Sequence, residues 1–212
     1  TERELRDLRS REASHRHLGS DAPGEQVFFD TMYVGKLKGV GKIWQYSAVD
    51  GSCSFGFATA LAGEKSARAA AAFLEHHVLP TYAEAGIPLR EVVVDGGPEF
   101  RGEFRRTCAR LGISRHQLPA RSPDLNAFVE RFQGTVLHLH YRVAFRYRFY
   151  TRAEDIDADL QAFLRFYNFE RPHRGYRTRG RRPAEIFYAH RPDLLEMKGW
   201  DADEFTPQAV RS

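Results

Sequence analysis

Cysteine is scarce in this chain. Its two residues, Cys53 and Cys108, lie far apart and neither belongs to a Cys-x-x-Cys pair. That excludes a disulfide-built scaffold and favours a reduced, cytosolic setting. Histidine does not supply a zinc site instead. His15 and His17 are separated by a single residue, and no cysteine pair follows at finger-like spacing. Long apolar runs are also missing. No window approaches the length of continuous apolar sequence that a membrane span needs. The opening residues, TERELRDLRSRE, lack the apolar centre of a secretory signal. The first residue is Thr rather than Met, as expected of a processed chain or a piece of a longer protein. No internal repeat interrupts the pattern.

What is present suits a globular domain. A chain of 212 residues with a hydrophobic fraction of 42% can bury one sizeable core with short appendages. The net charge of +4 is only a mild pointer to nucleic acid. Its distribution says more. RPHRGYRTRGRR, residues 171–182, holds six arginines and no acid. Upstream, Arg142, Arg146, Arg148 and Arg152 alternate with Tyr141, Phe145, Tyr147, Phe149 and Tyr150. Such a run is either a solvated face or a phosphate-contacting surface.

Along the chain, residues 1–24 read as a charged linker or lead-in. EQVFFDTMYVG is an apolar run rich in β-formers and predicts a strand with Asp30 in its middle. KIWQYSAVD and SCSFGFATAL predict two further strands joined at Asp50-Gly51, a hairpin signal. SARAAAAFLEHHVLP predicts a helix capped by Ser66 and stopped by Pro80. LREVVVD predicts a strand ending on Asp95, and GGPEF a turn. EFRGEFRRTCARLG predicts an amphipathic helix closed by Gly112, and ISRHQL a fifth strand. A long helix, capped at Ser122-Pro123 or Asn126, is expected to about residue 146. Another runs from about Ala153 to Phe169, and a short one starts at Pro183. The order predicts an α/β domain over residues 25–190 with a mixed sheet, antiparallel early and parallel later, and a polar tail over 191–212.

Three carboxylates stand where burial disfavours them. Asp30 sits inside an apolar strand, and a charge there must be paired, hydrogen-bonded or metal-bound. Asp95 closes an apolar strand and is followed by two glycines, which let a ligand approach the backbone closely. Glu130 lies early in a helix among apolar neighbours. Each also has a structural explanation: a buried ion pair for Asp30, a turn cap for Asp95, a surface ion pair for Glu130. Together, on two strands and a helix, they match what phosphoryl transfer needs. Mg²⁺ prefers oxygen ligands. Two such ions about 3.5–4 Å apart can activate an attacking oxygen and steady a leaving one.

At these residues the chain resembles the integrase catalytic core shared by retroviral integrases and bacterial insertion-sequence transposases, with the Asp-Asp-Glu signature. FFDTMYV resembles the first-strand Asp motif, and VVVDGGPEF the second motif, Asp-Asn-Gly-x-Glu-Phe. RSPDLNAFVERF resembles the Ser-Pro-x-x-Asn-Gly-x-x-Glu-Arg motif. YNFERPHRGYRTRGRRPAEIF resembles the Tyr-Asn-x-x-Arg-Pro-His and following segments of the bacterial branch. Gly96 stands where the family usually has Asn, and Ala127 where it often has Gly. The 34 residues between Asp95 and Glu130 are one fewer than in the best-known members. Gly134 and Leu137 occupy positions where retroviral members carry lysines. None of these departures removes a proposed metal ligand.

The resemblance implies a ribonuclease H-like fold: a five-stranded mixed sheet with helices on both faces. It implies a transposase that hydrolyses a phosphodiester at transposon DNA ends, then joins the freed 3′-hydroxyl to target DNA during integration and recombination. Asp30, Asp95 and Glu130 would be the catalytic, metal-binding residues for two Mg²⁺ ions, with Mn²⁺ able to substitute. Arg171, His173 and Arg174, with Arg121 and Arg131 nearer the site, are the expected DNA contacts, positioning the backbone without reading sequence. Partners would be DNA and further copies of the chain, as a homodimer or higher oligomer, in a bacterial, nucleoid-associated setting. Recognition of transposon ends is expected from a domain upstream. The alternatives are a ribonuclease H-like nuclease that cuts without joining, or a non-catalytic DNA-binding or assembly module.

Overall fold

The computed structural model describes residues 20–119 and 127–198. Three strands open the domain: β1 Val27–Leu37, β2 Gly41–Asp50 and β3 Gly56–Ala62. Helix α1, Ala67–Phe73, passes through a π turn into α2, Leu79–Ala85. Then come β4 Glu91–Val94, a 3₁₀ turn Pro98–Phe100, α3 Gly102–Arg110 and β5 Ser114–Gln117. Helix α4, Ala127–Val136, continues through a π turn into α5, Arg142–Tyr147. The chain closes with α6 Ala153–Arg165, α7 Pro183–Phe187 and α8 Pro192–Met197.

The strands form one sheet in the order β3-β2-β1-β4-β5. β1 pairs antiparallel with β2 and parallel with β4, and β4 pairs parallel with β5. This is the expected mixed sheet. β1 is central, so both its faces are covered. Its alternation sends Val27 and Phe29 to one face and Phe28 to the other. The first face packs Phe73, Tyr82, Phe104, Phe187 and, beyond residue 190, Leu194. The second packs Val129, Phe132 and Val136 of α4 against Ile156, Leu160 and Phe163 of α6.

β3 is an edge strand, and side chains of α6 and the turn after it replace a sixth strand. Asn168 accepts from Gly56 N–H at 2.8 Å and donates to Gly56 O at 2.8 Å. Gln161 donates to Ala58 O and Asp157 accepts from Ala60 N–H. An edge covered in this way offers no open ladder to another chain. Gly56 has a further role. A Cβ there would overlap the Phe132 ring, so this glycine sets how closely α4 approaches the sheet.

Two local expectations are corrected. The helix expected to stop at Pro80 runs on to Ala85 and ends on Gly86 in the left-handed region. The π turn Leu74–Val78 resets the hydrogen-bond register, so Pro80 falls in a first helical turn, where its missing N–H costs little. The strand expected from Ser52 begins only at Gly56. Buried Asp50 holds residues 52–54 in a turn: its carboxylate accepts from Ser52 N–H and Oγ, from Gly24 N–H and from Tyr82 OH. The capping positions expected at Ser122-Pro123 or Asn126 lie outside the described residues.

Candidate active site

Phe29 of β1 lies opposite Val94 of β4 in the parallel ladder. The next residues, Asp30 and Asp95, therefore stand side by side where that pairing ends. Carboxyl ends of parallel strands are where α/β sheets gather ligands. By alternation both aspartates belong to the face that α4 covers. Asp30 Oδ1 accepts from Thr31 N–H at 2.7 Å, and Asp95 Oδ1 from Gly97 N–H at 2.8 Å.

Asp30 is under electrostatic stress. Burial, with Asp95 and Glu99 as like charges, pushes its pKa from an ordinary 3.8 up to about 6, against the Thr31 amide and the Gln133 side chain. Gln133 belongs to α4 and also lies 3.5 Å from Ser47 Oγ, whose residue is the cross-strand partner of Asp30. Gln45 donates to the same hydroxyl at 2.8 Å. A buried polar line thus runs from Asp30 along the sheet.

Glu99 is the feature that sequence reasoning missed. GGPEF was expected to be a turn and nothing more. Glu99 is 2% exposed, and its Oε1 accepts from Thr31 Oγ1 and Lys65 Nζ, each at 2.7 Å. Burial works against its charge, yet Lys65 and Thr31 outweigh burial and hold the carboxyl below its ordinary range. Lys65 also lies over the Trp44 ring. The resembling motif does carry a Glu at this place, and that was the available signal.

Glu130 lies on α4 one turn before Gln133, so it shares the flank that reaches Asp30. It is exposed, and it does not close a ligand set with the aspartates in this arrangement. Among the described residues no group of three or more His, Cys, Asp or Glu side chains is gathered to hold a metal ion. The residues still fit a cation. Asp30 and Asp95 are neighbouring acids with oxygen donors of the kind Mg²⁺ takes, and Glu99 adds a like charge nearby.

The basic residues divide. Arg131, next to Glu130, and Arg174 are exposed. Arg121 lies outside the described residues. His173 turns inward and is 8% exposed, with Nε2 3.1 Å from Tyr167 O. Arg171 Nη1, which can only donate, lies 3.3 Å from the same nitrogen, so Nε2 cannot serve both; the closer contact, to the carbonyl, is the bond made when Nε2 carries the proton. Burial, partly offset by that bond, lowers its pKa to about 4, so it is neutral at pH 7. In this arrangement His173 braces the chain after α6 rather than facing a phosphate. Arg171 lies 6.0 Å from the Tyr167 ring. Arg177 donates to Ser20 O and lies 4.9 Å from the Phe128 ring, tying the arginine stretch to α4. Arg182 donates to Phe169 O and pairs with Glu185. Exposed Arg174, Arg179 and Arg181 form no ion pair among the described residues.

The sheet order and the paired aspartates define a ribonuclease H-like α/β domain. Comparison with known proteins makes that more specific. Residues 111–179 match the family model described as integrase core domain. That segment carries Glu130 and the arginine stretch as far as Arg179, but neither aspartate. The fold is similar to a chain of the simian T-cell lymphotropic virus intasome bound to the PP2A regulatory subunit B56 gamma. There the TM-score is 0.66 and identity 20%, covering 80% of this chain and 56% of that one. It is similar to the HTLV-2 integrase catalytic core domain in complex with magnesium (TM-score 0.58, 18% identity, 78% and 97% covered). The BIV integrase catalytic core is a third (TM-score 0.57, 19% identity, 81% and 98% covered). No curated protein sequence matches. The resemblance to integrase cores expected from the motifs is thus shown, by sequence over residues 111–179 and by fold over most of the chain.

Proposed function

We propose that this domain is the catalytic core of a DNA strand-transfer enzyme of the transposase and integrase kind. The observation that carries this reading is the side-by-side placement of Asp30 and Asp95 where the pairing of β1 with β4 ends, on the face that α4, the helix of Glu130, covers. Asp30 would be shared by two divalent ions, with Asp95 and Glu130 each completing one. Such a pair supplies Lewis-acid activation of an attacking oxygen and stabilises the leaving one. Gln133 and the Thr31 amide orient the Asp30 carboxylate. The Gly97 amide fixes Asp95. Exposed Arg131 and Arg174 would hold the DNA backbone, joined by Arg121, while Arg171 and His173 shape the surface from behind. A magnesium complex of the HTLV-2 core, in dimeric and trimeric forms, supports both a divalent ion and self-association here. The transposon substrate and the bacterial setting rest on the Tyr-Asn-x-x-Arg-Pro-His resemblance.

For Glu130 to complete the site, α4 or its side chain must shift toward the aspartates when cation and DNA arrive. The test is Asp95→Asn. It should abolish Mg²⁺-dependent joining of a labelled oligonucleotide while DNA binding persists. Undiminished joining would overturn the assignment. The wild-type products separate the enzyme readings: joined strands define a transferase, nicks alone a nuclease.

A further inference from the structure

The arginine and aromatic stretch over residues 142–152 contains no acid, and neither does the β1–β2 hairpin over residues 32–42. The fold brings the two together. Val34, Leu37 and Ile43 of the hairpin share a cavity of about 310 Å³ with Phe145, Phe149 and Ile156, and Lys36 and Arg148 add charge to its wall. Two rings stay in solvent on this stretch: Phe149 is 91% exposed and Tyr147 75%. Phe145 is held in place, stacked on buried Tyr141 and edge-on to buried Tyr150. Apolar rings clustered at the surface mark a place that receives a partner.

Charge decides which partner. Arg148 pairs with Asp159, Arg152 with Glu154 and Lys42 with Glu64. Exposed Lys36, Lys38, Arg142 and Arg146 form no ion pair among the described residues. A second copy docked about a two-fold axis would set these cations against their own images. A nucleic acid strand neutralises them. Bases inside a duplex keep their faces stacked on one another, whereas an unpaired strand offers them to aromatic rings.

We propose that this surface binds an unpaired nucleic acid strand, its bases against Phe149 and Tyr147 and its phosphates against Arg146, Arg142 and Lys36. The surface is distinct from the aspartate site. α4, the π turn and α5 form one helical run, with Glu130 near its start and Tyr147 at its end. A rise of about 1.5 Å per residue sets them about 25 Å apart. The inference rests on the DNA-processing reading above and deepens it, adding a place for unpaired strand away from the point of cutting.

The experiment follows fluorescence anisotropy of a labelled oligothymidylate of about 12 nucleotides, and of a blunt duplex of equal length, with the full chain and no divalent cation. The single strand should bind. The double variant Tyr147→Ala, Phe149→Ala should weaken it about fivefold or more and leave duplex affinity unchanged. Both rings are exposed, so its melting temperature should hold. Arg146→Gln should flatten the salt dependence of single-strand binding by about 0.7 in log–log slope. Unchanged single-strand affinity in the double variant overturns the inference. So does an equal loss for single strand and duplex, or a wild type that does not bind the single strand. A wild type that self-associates in sedimentation, and a double variant that is monomeric, also overturn it and assign the surface to a second copy. The catalytic reading is judged by joining in Asp95→Asn, whose aspartate lies outside this surface, so failure here leaves that reading standing.

Discussion

Replacing Asp30 by Asn removes one charge from a crowded group while keeping its shape. The Asn oxygen can still accept from Thr31 N–H. What disappears is the cost of an ionised carboxylate beside Asp95 and Glu99. A rise in pKa from 3.8 to about 6 corresponds, at about 1.4 kcal/mol per pH unit, to a cost of about 3 kcal/mol at neutral pH. Because Asp30 is only partly covered by protein, solvent screening brings the expected gain to about 1–3 kcal/mol. For a domain of this size, about 2 kcal/mol raises the melting temperature by roughly 4–8 °C. The sign with pH is fixed. A raised acid pKa means that the folded state binds the proton more tightly. Wild-type stability at this site is therefore present below the unfolded value and lost as pH rises through about 6. Asp30→Asn should be the more stable protein at pH 7.5, and its advantage should vanish near pH 4. Mg²⁺ should narrow the gap at pH 7.5 by stabilising only the wild type. Denaturant unfolding at the two pH values, with and without Mg²⁺, measures this. A variant less stable at pH 7.5, or equally advantaged at both pH values, would refute the reasoning.

Other consequences follow from the same geometry. Gly56→Ala should destabilise by about 1–3 kcal/mol in urea unfolding, because its Cβ drives Phe132 and α4 off the sheet. His173→Ala should lower stability by about 1–3 kcal/mol, leaving the buried Tyr167 carbonyl unpaired, without changing DNA affinity per folded molecule. Arg174→Ala should do the reverse, reducing the salt dependence of DNA binding by about one charge at unchanged melting temperature. Burial depresses both His140 and His173 to about 4. The unfolded chain binds those protons first, so their contribution is intact above about 6.5 and lost as pH falls toward 4, visible as acid unfolding that His173→Gln moderates.

Much of the site was legible because its signals are local. A carboxylate inside an apolar run is costly wherever the run folds, so Asp30 and Asp95 could be marked before any tertiary contact was known. Alternation and β-branching placed all five strands, and the arginine stretch stood out by composition. Misplaced boundaries had non-local causes. Pro80 sits in a helix because a π turn upstream shifts the register, and β3 starts late because Asp50 collects donors from three segments.

What the sequence alone determined was the fold class, the strand order's character and the two aspartates, since periodicity and burial cost are properties of short windows. Only the tertiary structure decided which charges meet. It set Asp30 beside Asp95 through the β1–β4 register and turned His173 and Arg177 inward. It left Glu130 outside the aspartate pair. It also brought Glu99 into the group, because a side chain on a 3₁₀ turn has no periodicity to betray its neighbours, and its contacts with Thr31 and Lys65 span the chain.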